Sequence, residues 1–137
     1  MVEPVVALAV VGAAHAAFQT TVSVVVYPAL AAVRDEGFAA AHDAHSRRIV
    51  ALVAPLYAAL LAVGGWAALA DSRPLVLAAV AAHGVALLVT ASVAAPTHGR
   101  LGSDGPTPDL LRRLLRSDLA RTAAAWTGLV LSLLALG

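Results

Sequence analysis

Cysteine is absent from this chain of 137 residues, and so is lysine. Without cysteine the chain has no disulfide, no thiolate metal ligand and no thiol nucleophile, so any chemistry must use histidine, carboxylate, hydroxyl or a bound cofactor. Charged residues make up only 12% of the chain, whereas about a quarter is typical of a soluble domain. Because 61% of the residues are hydrophobic, the composition indicates a membrane protein.

Long apolar runs separated by polar breaks predict an all-α, four-helix transmembrane bundle in a single domain. A span needs about twenty apolar residues, and the predicted spans cover residues 4–33, 38–70, 74–96 and 108–136. Tight turns join the first two pairs of helices, and a glycine- and proline-rich segment, 96–108, predicts a flexible third connection. Short connections favour an up-down-up-down order of the helices. The sequence shows no evident internal repeat.

The fourth run is the least apolar of the four. Its purely apolar part, residues 122–136, is shorter than a full span. Arg121 and Asp118 must therefore enter the membrane zone, reach its edge or face the interior of the bundle.

The nine arginines are distributed unevenly between the two ends of the predicted bundle. Eight lie at the end that holds the first and third connections, and only Arg73 lies at the opposite end. Cytoplasmic loops carry an excess of basic residues, so this pattern predicts a multi-pass protein of the cytoplasmic (inner) membrane with both termini outside. The expected partners are the lipid bilayer and either a second copy of the chain or a partner membrane subunit. Nucleic acid is not expected, because topology accounts for the arginines.

The histidines fall into two layers, of which the outer one contains His15 and His83. At about 1.5 Å per residue, His15 lies about 16 Å and His83 about 14 Å from the outer ends of their helices, so we expect the two rings to face each other. Gln19 lies one turn below His15 on the same face. Two histidines at equal depth suit axial haem ligation or a metal. The alternative is that each forms a helix-to-helix hydrogen bond.

The inner layer lies at the arginine-rich end. His42 and His45 share one face of the second helix, and they are joined there by His98, Asp118 and Arg121 from the third and fourth helices. Three histidines and a carboxylate would satisfy zinc, copper or iron.

Two neighbouring arginines point to other roles for the same layer. Arg48 and Arg121 would oppose a metal and suit an anion, a quinone carbonyl or a lipid phosphate. Histidine and arginine are also ordinary anchors at the membrane surface, so interfacial anchoring is the third interpretation.

Several polar motifs of the chain also resemble motifs of known membrane proteins. They are His15, Gln19, Tyr27-Pro28, His42-x-x-His45, Pro96-Thr-His-Gly-Arg-Leu101 and Asp118-x-x-Arg121-Thr122. With them the chain resembles, over nearly its whole length, small uncharacterised four-helix integral membrane proteins of GC-rich bacteria, which implies the fold but no activity. The last two motifs are similar, more distantly, to those of anthrone-oxygenase-like membrane proteins, with Asp118 at that family's asparagine position. This second resemblance implies oxygenation of a polycyclic aromatic substrate.

Two functions follow as hypotheses. The first is a redox or oxygenase-type membrane protein with a histidine-lined site for haem, iron, copper or zinc, in which Arg48, Arg121 and Gln19 bind the substrate or a lipid headgroup. The alternative is a non-catalytic membrane subunit or assembly partner, whose polar residues serve helix packing and headgroup binding.

Overall fold

Four long helices form the protein. The computed structural model describes residues 2–137, except for the side chain of Asp35. The helices are α1 (Pro4–Ala31), α2 (Asp35–Ala70), α3 (Pro74–Asp104) and α4 (Pro108–Leu134). The all-α prediction with four helices is therefore confirmed.

Three of these helices, α1, α2 and α3, are long and apolar enough to cross a membrane. Many large apolar side chains lie exposed on their outer faces, among them Val24, Leu52, Leu69 and Leu88. Such an outer surface suits lipid better than water. Helix α4 is not among these three helices, because its first half is rich in arginine, although its second half is apolar.

Proline begins three of the four helices. Pro4, Pro74 and Pro108 occupy the first turns of α1, α3 and α4, where a missing N–H costs no hydrogen bond. The Thr107 hydroxyl accepts a hydrogen bond from the Leu110 N–H at 3.3 Å and so caps α4.

Arg73 ties the turn between α2 and α3 to the end of α4. Its guanidinium donates to the Ala135 carbonyl at 2.8 Å and to the Asp71 carboxylate at 2.9 Å. The hydrogen bonds that the side chain and backbone N–H of Arg73 donate to Asp71 hold the pKa of the Asp71 carboxyl below its ordinary value.

Two π-helical segments interrupt the α-helical geometry, Val22–Val26 in α1 and Thr90–Ala94 in α3. Each ends two residues before a proline, Pro28 or Pro96. A proline inside a helix has no N–H to donate, and its ring clashes with the carbonyl four residues earlier. The wider π turn accommodates this clash without ending the helix.

Helices α1 and α3 share one order of features: a histidine, then a π segment, then a proline. His15 and His83 each precede the start of a π segment by seven residues and a proline by thirteen. The residues in between differ, which is why the sequence shows no evident repeat.

Residues 95–104 are helical, so the prediction of a flexible loop over 96–108 is wrong for most of its length. Leu101 is 1% exposed and packs in a cluster with Phe38, Leu110 and Leu114. Burial of this leucine outweighs the weak helix propensity of the glycines around it. The connection shrinks to residues 105–107, where Gly105 has φ +79°, a conformation that glycine adopts readily.

Candidate functional site

The two outer histidines meet in the centre of the bundle. His15 Nδ1 lies 3.0 Å from His83 Nδ1, and both residues are buried. The expectation that they face each other is therefore confirmed. Since a hydrogen bond needs one donor, only one of the two rings carries its proton on Nδ1.

Two glycines enclose the His83 ring. A Cβ added at Gly128 of α4 would lie 2.6 Å from the ring, and one at Gly12 of α1 would lie 2.9 Å from it. The haem interpretation does not fit this pair, because the His15 and His83 nitrogens contact each other directly and the backbones of α1 and α4 pack against the ring.

A chain of hydrogen bonds links the inner residues. The Arg121 guanidinium donates to the Tyr27 hydroxyl oxygen at 3.0 Å. Tyr27 lies 3.1 Å from His98 Nε2, and His98 Nδ1 lies 3.1 Å from His42 Nε2.

One direction in this chain is certain, because Arg121 is always a donor and the Tyr27 oxygen accepts from it. This leaves the single proton of Tyr27 free to be donated to His98 Nε2. A neutral His98 then carries its proton on Nδ1 and donates it to His42. The chain therefore runs from Arg121 through Tyr27 and His98 to His42, which lines an open groove at the protein surface.

Arg121 also pairs with Asp118 inside the bundle. The two side chains lie 2.9 Å apart and are almost fully buried. The other carboxylate oxygen of Asp118 accepts a hydrogen bond from Ser23, which in turn lies 2.8 Å from Thr122. A buried ion pair needs such additional bonds to offset its desolvation. The sequence left three positions open for Asp118 and Arg121: the membrane zone, its edge and the interior of the bundle. In the structure both side chains face the interior of the bundle.

The predicted metal ligands do not converge on one point. Among the side chains that the structure describes, no group of three or more histidines, aspartates or glutamates is arranged to hold a metal ion. Both ring nitrogens of His98 already have partners, and Asp118 is directed at Arg121 and Ser23. The His45 ring lies near His98, with 5.7 Å between the ring centroids.

A cavity of about 210 Å³ lies beside this chain of hydrogen bonds. Most of its wall is apolar, and Tyr27, His45, His98 and Arg121 lie together on its polar side. Both π segments contribute to it, through Val22 of α1 and through Thr90 and Ala94 of α3. The local widening of these helices thus helps to shape the cavity.

The remaining predicted site residues lie outside the cavity. Arg48 is exposed and does not line it. Gln19 is fully buried on α1, and its amide has no hydrogen-bond partner among the described residues. Burial of Gln19 is not compatible with binding a lipid headgroup at the surface.

Three residues of the inner site are not among the site residues predicted from the sequence: Ser23, Tyr27 and Thr122. Each is a polar side chain in an otherwise apolar run, at the same depth as Asp118 and Arg121, and this pattern in the sequence could have identified them. A buried arginine and aspartate need partners, and these hydroxyls are the partners available.

No protein-family model, curated protein or solved structure matches the chain. The resemblances indicated by the motifs therefore stay predictions.

Proposed function

We propose that the protein is a redox or oxygenase-type enzyme of the cytoplasmic membrane. Its substrate is a lipid-soluble aromatic ring that carries a carbonyl or phenolic oxygen. The observation that carries this proposal is the cavity of about 210 Å³, which is apolar on most sides and meets a buried arginine, a tyrosine and two histidines on one side. Ligand sites generally combine an apolar wall with a few convergent polar groups.

The proposed topology has four spans with both termini outside. Pairing Asp118 with Arg121 in the core supports α4 as the fourth span, because neither charge then faces lipid. The arginine distribution supports the orientation.

The polar side of the cavity suits an oxygen atom of the ligand. Arg121 lines the cavity, and its hydrogen bonds to Tyr27 and Asp118 hold its guanidinium in place before a ligand arrives. Such a preorganised donor stabilises negative charge that develops on a carbonyl or phenolic oxygen. Phe18, Ile49 and Val53 supply apolar contact for the ring.

His45 is the proposed base. It lines the cavity and forms no hydrogen bond with another described residue, so a ring nitrogen is available to accept a proton from the substrate. His42 is a positioning residue, because it does not line the cavity and is hydrogen-bonded to His98. His98 lines the cavity, but both of its ring nitrogens already have hydrogen-bond partners, so it is not the proposed base.

The proposed reaction consumes dioxygen. With a ring ketone that has an acidic methylene group, His45 removes one proton and Arg121 holds the resulting enolate oxygen. Dioxygen then oxidises the deprotonated carbon. In the overall balance, one methylene group and one dioxygen become one carbonyl group and one water.

Anthrone, a tricyclic ketone with an acidic methylene group, is a direct probe. The experiment measures anthrone binding by thermal shift of the purified protein in mild detergent, and turnover by dioxygen consumption and anthraquinone formation. We expect His45→Gln to bind anthrone but to lose turnover by about 100-fold or more, as expected for removal of a general base. We expect the double variant Arg121→Gln/Asp118→Asn, which removes both members of the ion pair together, to lose binding.

Arg48→Gln is the matched control, because Arg48 is exposed and lies outside the cavity. It should bind and turn over anthrone like the wild type. The proposal is wrong if the wild type does not bind anthrone, or if His45→Gln turns it over at the wild-type rate.

The alternative function is a non-catalytic membrane subunit or assembly partner. The observation that favours it is the outer histidine pair, whose rings bond to each other and fit against Gly12 and Gly128 as a packing device. Under this alternative, His83→Ala lowers stability, and a partner subunit, not a ring substrate, co-purifies with the protein.

A further inference from the structure

We propose that a groove between α3 and α4 binds the phosphate of an anionic phospholipid. The lining of the α3–α4 groove includes Val89 and Val93 of α3 and, on α4, three arginines and one acid, namely Arg112, Arg113, Arg116 and Asp109. It shares no lining residue with the cavity, so this proposal does not depend on the proposed enzyme function.

The positive charge of the groove is only partly compensated within the protein. Arg112 forms an ion pair with Asp109, whereas Arg113 and Arg116 form no ion pair with any residue whose side chain the structure describes. Arg112 and Arg116 are four residues apart on one helix face, where like charges repel. A phosphate between them removes this repulsion and accepts charge-assisted hydrogen bonds from the guanidinium groups.

The apolar part of the groove distinguishes a phospholipid from free phosphate. Val89 and Val93 lie beside the arginines and offer a surface to an acyl chain. Further along α4, the exposed Leu119 continues the apolar surface towards the wholly apolar end of the helix. An anionic headgroup with an attached chain matches both parts, and basic grooves between membrane helices are typical sites for such lipids.

The α3–α4 groove lies apart from the residues that the sequence predicts for substrate or headgroup binding. Of these three residues, Arg121 and Gln19 are buried in the core, and exposed Arg48 lies on α2. The arginines of the first half of α4 lie where this helix changes from charged to apolar, as expected at the headgroup level of a membrane.

The test uses the purified full-length protein in a mild detergent. Phosphatidylglycerol, phosphatidylcholine and inorganic phosphate are added separately. Native mass spectrometry measures bound lipid, and thermal unfolding measures stabilisation. We expect only phosphatidylglycerol to remain bound to the wild type and to raise its Tm. In the variant Arg113→Gln/Arg116→Gln, the affinity for phosphatidylglycerol should fall by roughly 30-fold, as expected for two surface arginines near an anionic lipid.

The control variant is Arg47→Gln/Arg100→Gln, which removes the same charge from two exposed arginines that are already paired with Asp43 and Asp104. It should keep the wild-type affinity. An equal loss of affinity in the control would mean that the net charge, not the groove, attracts the lipid. Equal stabilisation by inorganic phosphate, or unchanged phosphatidylglycerol binding in the groove variant, would also overturn the proposal.

Discussion

Arg121 joins the two halves of the inner site. Its guanidinium is hydrogen-bonded to Asp118 and to Tyr27, and Tyr27 continues the chain of hydrogen bonds to His98 and His42. One residue therefore pairs with a buried carboxylate and begins the chain that contains two histidines. Replacing Arg121 alone would leave the Asp118 carboxylate buried without its partner, which would be strongly destabilising. The binding experiment therefore replaces both residues together.

At the same scale, Gly128 is expected to be essential for packing. Gly128→Ala would place a methyl group 2.6 Å from the His83 ring, so we expect it to lower the free energy of unfolding by about 1–3 kcal/mol, the usual cost of overpacking. Unfolding in a denaturing detergent, followed by circular dichroism, measures this change.

Gly84→Ala is the control for that experiment. A Cβ at Gly84 meets no described atom within 4 Å, so this variant should be as stable as the wild type or slightly more stable. In addition, His83→Ala should relieve the clash in the Gly128→Ala background. Equal stabilities of Gly128→Ala and Gly84→Ala would contradict the close approach seen at Gly128.

At the scale of helices, α1 and α3 show how a proline can widen a helix without ending it. Both helices continue past Pro28 and Pro96, and both place residues of their π segments at the cavity. The continuation of α3 also positions His98, whose ring contacts Tyr27 and His42. A flexible loop in its place would not hold His98 in this geometry.

The continuation of α3 depends on Leu101. We expect Leu101→Ala to lower the free energy of unfolding by about 2–5 kcal/mol, because the side chain is 1% exposed and its removal leaves a cavity. The same substitution at Leu119, which is 71% exposed, should change stability little. Detergent-induced unfolding of both variants measures the difference. If the two variants have equal stability, packing of Leu101 does not hold residues 95–104 in helical form.

At the scale of the whole molecule, the absence of cysteine makes the proposed topology easy to test. Ser72 and Ser103 are exposed near opposite ends of the bundle, and each can be replaced singly by cysteine. With both termini outside, an impermeant maleimide should label Ser72→Cys in intact cells and Ser103→Cys only after the membrane is permeabilised.

The wild-type chain has no reactive thiol and serves as the unlabelled control. Labelling of Ser103→Cys in intact cells, with Ser72→Cys protected, would mean that the orientation is reversed. Labelling of both variants from outside would mean that the one helix between these positions, α3, does not cross the membrane as proposed.

The sequence by itself determined the four helices, their approximate bounds and the depth at which His15 and His83 meet. These features depend on local properties, namely apolar run length, proline at helix starts and the constant rise of a helix. Depth alone cannot decide which way a side chain turns. The tertiary structure decided that Asp118 pairs with Arg121, that His98 binds Tyr27 and His42, and that no metal-ligand cluster forms among the described residues. It also decided that residues 95–104 are helical, because the burial of Leu101 by other helices outweighs local propensity.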